Sequence, residues 1–254
     1  MNSEKKLFFL KNISFSHAEN AIFSNIKLEI MQGSFTAVCG PSGAGKTTLL
    51  KILAGLLSPD QGEIFFNSRS IRDYTQEELA RNRSFVSQHL PGNIEMSSRE
   101  ILETALYYSN LNEIEKSHKI KESASVTGIE HLLERRYSTL SGGEKRRVML
   151  TRGFIQCNKV LLLDEPTVFL DIAQSRDMIE LLKKFNTEHN STVICVTHDL
   201  SVVARYFSHA ILLAKGREII FGNALNILEK NASSYFNVTL ESGLSPEGKK
   251  YFLA

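Results

Sequence analysis

No segment constrains this chain more than Gly40-Pro41-Ser42-Gly43-Ala44-Gly45-Lys46-Thr47. It fits G-x-x-x-x-G-K-[ST]. It also lies between a short apolar strand, Phe35 to Cys39, and a stretch of helical spacing, Lys46 to Leu57. Glycines let the backbone curl until successive N–H groups point inward at an anion. The helix that follows presents its positive end to phosphate. Lys46 supplies a charge able to reach β- and γ-phosphates, and the Thr47 hydroxyl is placed to ligate Mg²⁺. Thr48, the next residue, completes the candidate phosphate-binding set. A strand–loop–helix of this kind calls for a mostly parallel sheet with helices on both faces.

The rest of the chain suits that expectation. Residues 7 to 30 alternate as an antiparallel pair of strands broken at Ser16 to Asn20, and Gly33 turns the chain into the strand before the loop. Pro59 to Gly62 is a turn, Glu63 to Phe66 a strand, Thr75 to Arg83 a helix, and Ser84 to Ser87 a strand. From about Pro91 to Arg152 the apolar spacing turns helical, as at Ile101, Leu102, Ala105 and Leu106, which predicts an inserted helical subdomain. Strand and helix then alternate again. Lys159 to Asp164, Thr192 to Thr197 and Ala210 to Ala214 are strands, and Ile172 to His189 and Leu200 to Phe207 are helices. Glu218 to Phe221 closes a hairpin on the third of these strands.

Composition excludes several classes. The 254 residues carry a net charge of +2, so no strong field calls for nucleic acid. No apolar run approaches a membrane span. The N-terminus opens like a signal peptide, but its apolar stretch is only Leu7 to Leu10 and no small-residue cleavage site follows; a cytoplasmic chain is expected. Cys39, Cys157 and Cys195 are too scattered for a zinc site or a disulfide framework and read as buried thiols.

Val160-Leu-Leu-Leu-Asp164-Glu165-Pro166 is an apolar strand ending in two carboxylates. In isolation such an end more often marks a solvated turn. Beside a phosphate loop, Asp164 would face the metal and Glu165 could polarise a water for in-line attack.

Leu140-Ser141-Gly142-Gly143-Glu144 resembles the signature motif of ABC ATPases. The order of phosphate loop, Gln88, signature, acidic strand, Asp171 and His198 is similar to the same family, from about Leu7 to Gly222. The resemblance implies an α/β P-loop NTPase: a RecA-like, mostly parallel core with an N-terminal antiparallel β subdomain and an inserted α-helical subdomain. The single domain, 1–254, would divide into a core (1–88 and 153–254) and a helical signature subdomain (about 89–152). It implies ATP and Mg²⁺ as ligands, with Thr47, Gln88 and Asp164 at the metal. Glu165, His198, Gln88 and Lys46 would carry catalysis. Ser141, Gly142, Gly143 and Asp171 would serve a nucleotide sandwich formed with a second copy of the chain.

Three departures from the family pattern stand out. His17 occupies the place of an aromatic that stacks on adenine, Glu144 replaces a frequent Gln, and Val168-Phe169 replaces Ser-Ala before Leu170-Asp171. One cassette without a span resembles the separate ATPase subunit of bacterial importers. That subunit sits on the cytoplasmic face of the cell membrane and works with permease subunits and, indirectly, an extracytoplasmic solute-binding protein. Ser70 to Gln88 and Leu170 to Gln174 are similar to ATPases of the iron-siderophore, haem and vitamin B12 uptake group. A soluble ABC ATPase without a transport role, such as the iron–sulfur cluster assembly ATPase, is the alternative.

Overall fold

A computed structural model describes residues 5–17, 20–89, 92, 94–168, 170–246 and 248–253. Phe169 and Pro91, which figured in the reading above, lie outside the described residues, as do residues 1–4.

The central sheet has six strands: β3 (Phe35–Cys39), β6 (Arg83–Val86), β7 (Val160–Asp164), β8 (Thr192–Val196), β9 (His209–Leu212) and β10 (Ile220–Asn223). They lie in the order β10-β9-β3-β8-β7-β6. All pairings are parallel except the β9–β10 hairpin. A second, four-stranded sheet runs β2-β1-β4-β5, antiparallel throughout, from β1 (Lys6–His17), β2 (Asn20–Met31), β4 (Gln61–Phe66) and β5 (Arg69–Ser70).

The two faces of the central sheet explain its sequence. Strand side chains alternate between faces, so a strand covered on both sides reads as one apolar run. In β7, Leu161 and Leu163 enter one core cluster while Val160 and Leu162 enter another. In β8, Val193 and Cys195 join the first, and Ile194 and Val196 the second. The first cluster is closed by α6 (Ile172–His189), α7 (Leu200–Tyr206) and α8 (Ala224–Phe236). The second is closed by α1 (Lys46–Leu53) and the antiparallel sheet. All three cysteines are free and buried among these layers.

A third cluster, with Ile101, Leu102, Ile120, Leu132 and Tyr137, belongs to residues beyond β6. Here lie α3 (Ser98–Thr104), α4 (Glu113–Thr127) and α5 (Gly142–Gln156). Each opens with a reciprocal capping box: Ser97 with Glu100, Asn112 with Glu115 and Ser141 with Glu144. The short α2 (Gln76–Asn82) begins the same way, at Thr75 and Glu78. α5 seats closely on the central sheet at Gly153, where a Cβ would come within 2.8 Å of Val86 and 3.2 Å of Leu161.

Three expectations need correction. The helix after the phosphate loop stops at Leu53 rather than Leu57, because Gly55 takes a left-handed φ of 57° and the chain turns. The strand expected at Ser84 to Ser87 is Arg83–Val86, so Ser87 and Gln88 lie beyond its end. The segment after Gly222, to which the sequence reading assigned no element, is structured. It holds α8 and a hairpin of β11 (Glu241–Leu244) and β12 (Lys250–Leu253) that packs on α7, where Ser201 Oγ donates to Phe252 O and accepts from Phe252 N, both at 3.0 Å.

Candidate nucleotide site

The phosphate loop leaves β3 at its carboxyl end and enters α1. Gly40 has a φ of 152° and its Cα faces the Leu213 carbonyl, leaving no room for a Cβ; Gly45, at φ 92°, is backed by Ile22 and Phe23 of β2. The antiparallel sheet therefore buttresses the loop. Lys46 Nζ donates to the Gly40 and Pro41 carbonyls at 2.9 and 3.0 Å, which holds the ammonium across the loop mouth.

β7 ends beside it. Thr47 Oγ1 donates to Asp164 Oδ1 at 3.1 Å. Asp164 is buried at 3% exposure. Burial pushes its carboxyl above the usual carboxylate range, the Thr47 hydrogen bond opposes this, and the Glu165 charge adds to it. Glu165 turns away with a φ of 49°, a left-handed conformation that costs a non-glycine residue on the order of 1–3 kcal/mol. Strain at this position directs its carboxylate to Gln88, whose Nε2 donates to Glu165 Oε2 at 3.0 Å. Lys46, Thr47, Gln88, Asp164 and Glu165 thus converge from three separate parts of the chain.

The other candidates sit around this centre. His198 is exposed, follows β8, and lines a cleft of about 360 Å³ with Thr167, Val168 and Leu170. Asp171 caps α6, accepting from Gln174 N at 2.7 Å. Ser141 caps α5, and a Cβ on Gly143 would touch Gln174 and Leu170. Among the described residues no hydrogen bond links Ser141, Gly142 or Gly143 to the phosphate loop. His17 is exposed at the far end of β1, paired with Asn20. Sequence reasoning missed Arg146, a buried arginine on α5 whose guanidinium reaches the Ser87 carbonyl at 3.4 Å. Its neighbour Arg147 gives the same sequence signal, so only the fold separates them.

A phosphate-binding loop, an acid-tipped strand that ends beside it and a mostly parallel sheet define a P-loop nucleoside triphosphatase. Residues 23–168 match the family described as "ABC transporter", more than half of the chain, and the chain belongs to that family. Ferric enterobactin transport ATP-binding protein FepC of Escherichia coli is 31% identical over 217 residues, 84% of this chain and 80% of that protein. Hemin import ATP-binding protein HmuV of Hydrogenovibrio crunogenus is 33% identical over 216 residues, 82% and 83% of the two chains. A dimeric ATP-binding cassette in a post-hydrolysis state, bound to ADP and Pi, superposes with a TM-score of 0.76 at 28% identity, covering 85% of this chain and 98% of that one. This chain is an ABC ATPase, and among its described residues no helix is long and apolar enough to cross a membrane.

Proposed function

We propose that the chain is the ATP-hydrolysing subunit of an importer that moves a metal chelate through a separate permease. The observation that carries this is the convergence of Thr47 on Asp164 and Gln88 on Glu165 at the mouth of the phosphate loop. An intact hydrolytic set marks a motor rather than a nucleotide-binding module. The relatives named for ferric enterobactin transport and hemin import support the direction and the solute class.

In this reading the loop N–H groups of Gly40 to Thr48 and the Lys46 ammonium hold the triphosphate. His17 lies against adenine. Thr47, Asp164 and Gln88 offer the hard oxygen donors that Mg²⁺ prefers, two of them already 3.1 Å apart. These three residues would hold Mg²⁺, which would supply positive charge against the negative charge that develops on the phosphates. Glu165 orients a water in line with the γ-phosphorus and takes its proton as the bond to the ADP oxygen breaks. Ser141, Gly142 and Gly143 of a second copy close over the γ-phosphate, Asp171 lies at the crossing between copies, and His198 holds the closed geometry. The ADP- and Pi-bound dimer of a related cassette supports such a sandwich. Residues 89–152 form the helical signature subdomain against a core of 1–88 and 153–254. The chain works on the cytoplasmic face of the cell membrane, with an extracytoplasmic binding protein delivering solute to the permease.

The test is affinity purification of the intact chain from detergent-solubilised native membranes, followed by mass spectrometry. A polytopic permease as the stoichiometric partner is the expected result. A soluble scaffold, with the chain absent from membranes, would replace the transport reading with the cluster-assembly one.

A further inference from the structure

Arg146 is 3% exposed, although arginine is almost never buried without a carboxylate partner. Among the described residues it makes no ion pair. Its hydrogen bond runs from Nη1 to the Ser87 carbonyl at 3.4 Å. Nearby stand Asp164 and Glu165 at the tip of β7 and the phenol of Tyr137, which is fully buried and whose hydroxyl has no hydrogen-bond partner among the described residues. A buried charge with so little compensation is costly, and an uncharged side chain of similar size would pack there at least as well.

Position explains what stability does not. Arg146 lies in the first turns of α5, the helix that Ser141, Gly142 and Gly143 open. Ser87 immediately precedes Gln88, and Gln88 holds Glu165. A contiguous path therefore runs from the signature turn through Arg146 and the 87–88 backbone to the carboxylate that orients water. In a two-copy sandwich these ends serve different nucleotides: the signature turn meets the partner's ATP, while Gln88 and Glu165 act on the chain's own. We infer that Arg146 is a positioning residue that ties the Gln88–Glu165 pair to the signature helix, so that hydrolysis at one site depends on engagement at the other. This inference rests on the roles proposed above for Gln88 and Glu165.

The experiment is a double-mutant cycle on ATP hydrolysis by the intact chain. Arg146→Gln is expected to lower kcat on the order of tenfold, the scale at which a displaced positioning group acts. KM for ATP should stay within about twofold and Tm should be unchanged or higher. Arg146→Lys should recover part of the loss, and the Hill coefficient for ATP should fall toward one in Arg146→Gln. In a Gln88→Ala background Arg146→Gln should change kcat by less than about twofold, because coupled residues are not additive. Parent kcat in Arg146→Gln, a loss tracking a lower Tm, or full multiplication of the two losses would each overturn the inference. If Arg146→Gln fails to fold, the same cycle with Arg146→Lys decides the matter. Parent activity in Gln88→Ala and in Glu165→Gln would instead defeat the site reading beneath it.

Discussion

Ser141 carries two loads that substitution can separate. Its hydroxyl accepts from Glu144 N at 3.3 Å, while Glu144 Oε2 accepts from Ser141 N at 2.7 Å. Removing the hydroxyl in Ser141→Ala deletes an N-cap, worth about 1 kcal/mol. For a chain of this size that lowers Tm by about 2–4 °C. The same hydroxyl is proposed to donate to a γ-phosphate. A hydrogen bond to a charged group is worth about 1.5–3 kcal/mol, so hydrolysis should fall roughly ten- to a hundredfold. Ser141→Asp breaks this pairing of effects. Aspartate caps helices about as well as serine, and Arg135, 3.1 Å from Glu144, offsets the added negative charge, so Tm should return to within about 2 °C of the parent. A carboxylate about 4 Å from a phosphate charge at the protein surface costs about 4 kcal/mol, so hydrolysis should fall about a thousandfold. Differential scanning calorimetry and a phosphate-release assay on the three proteins read both quantities. A Ser141→Asp variant that is stable and hydrolyses ATP at the parent rate would refute the placement of this turn against phosphate. An unchanged Tm in Ser141→Ala would refute the capping argument.

Other outcomes follow from the same geometry. Gly40→Ala should abolish nucleotide binding in an equilibrium titration, since its Cβ would run into the Leu213 carbonyl; parent affinity would show that the loop can re-form. The capping carboxylates Glu78, Glu100 and Glu144 are held below their ordinary value of 4.5, by Arg69 at Glu78 and by the capping-box N–H donors at the other two. Groups with depressed folded values stabilise the fold above their unfolded pKa and lose that contribution as pH falls through the folded one. Thermal melts from pH 6 to 3 should therefore fall more steeply for the parent than for Glu100→Gln, and equal slopes would contradict this. Burial pushes Cys39 and Cys157 up to about 12 and Cys195 higher still. No thiol should react with a disulfide reagent at pH 8 until denaturant is added, and rapid labelling of the native chain would contradict their burial.

Local signals made the core of this structure readable. Gly40 to Thr47 and Val160 to Glu165 are short, leave the same end of the sheet on strands separated only by β8, and are composed of residue types that few other roles require. The continuous apolar runs of β7 and β8 follow from burial on both faces, so alternation was absent where the sheet is central and present in β1 and β2, where it is not. The end of α1 was overshot because Leu56 and Leu57 continue the apolar spacing although Gly55 turns the chain. The C-terminal hairpin was missed because its fixing contacts join Phe252 to Ser201, far apart in sequence. Arg146 was invisible for a related reason: whether a helical arginine is buried depends on what α5 packs against. The left-handed φ of Glu165 likewise has no sequence mark.

The central claim is that two copies of this chain share two ATP molecules across Ser141 to Gly143 and Gly40 to Thr47. Light scattering of Glu165→Gln after gel filtration, with and without ATP, tests it most directly. The account predicts a species of twice the chain mass with ATP and a single chain without nucleotide. A single chain that binds ATP and stays single at saturating nucleotide would contradict it.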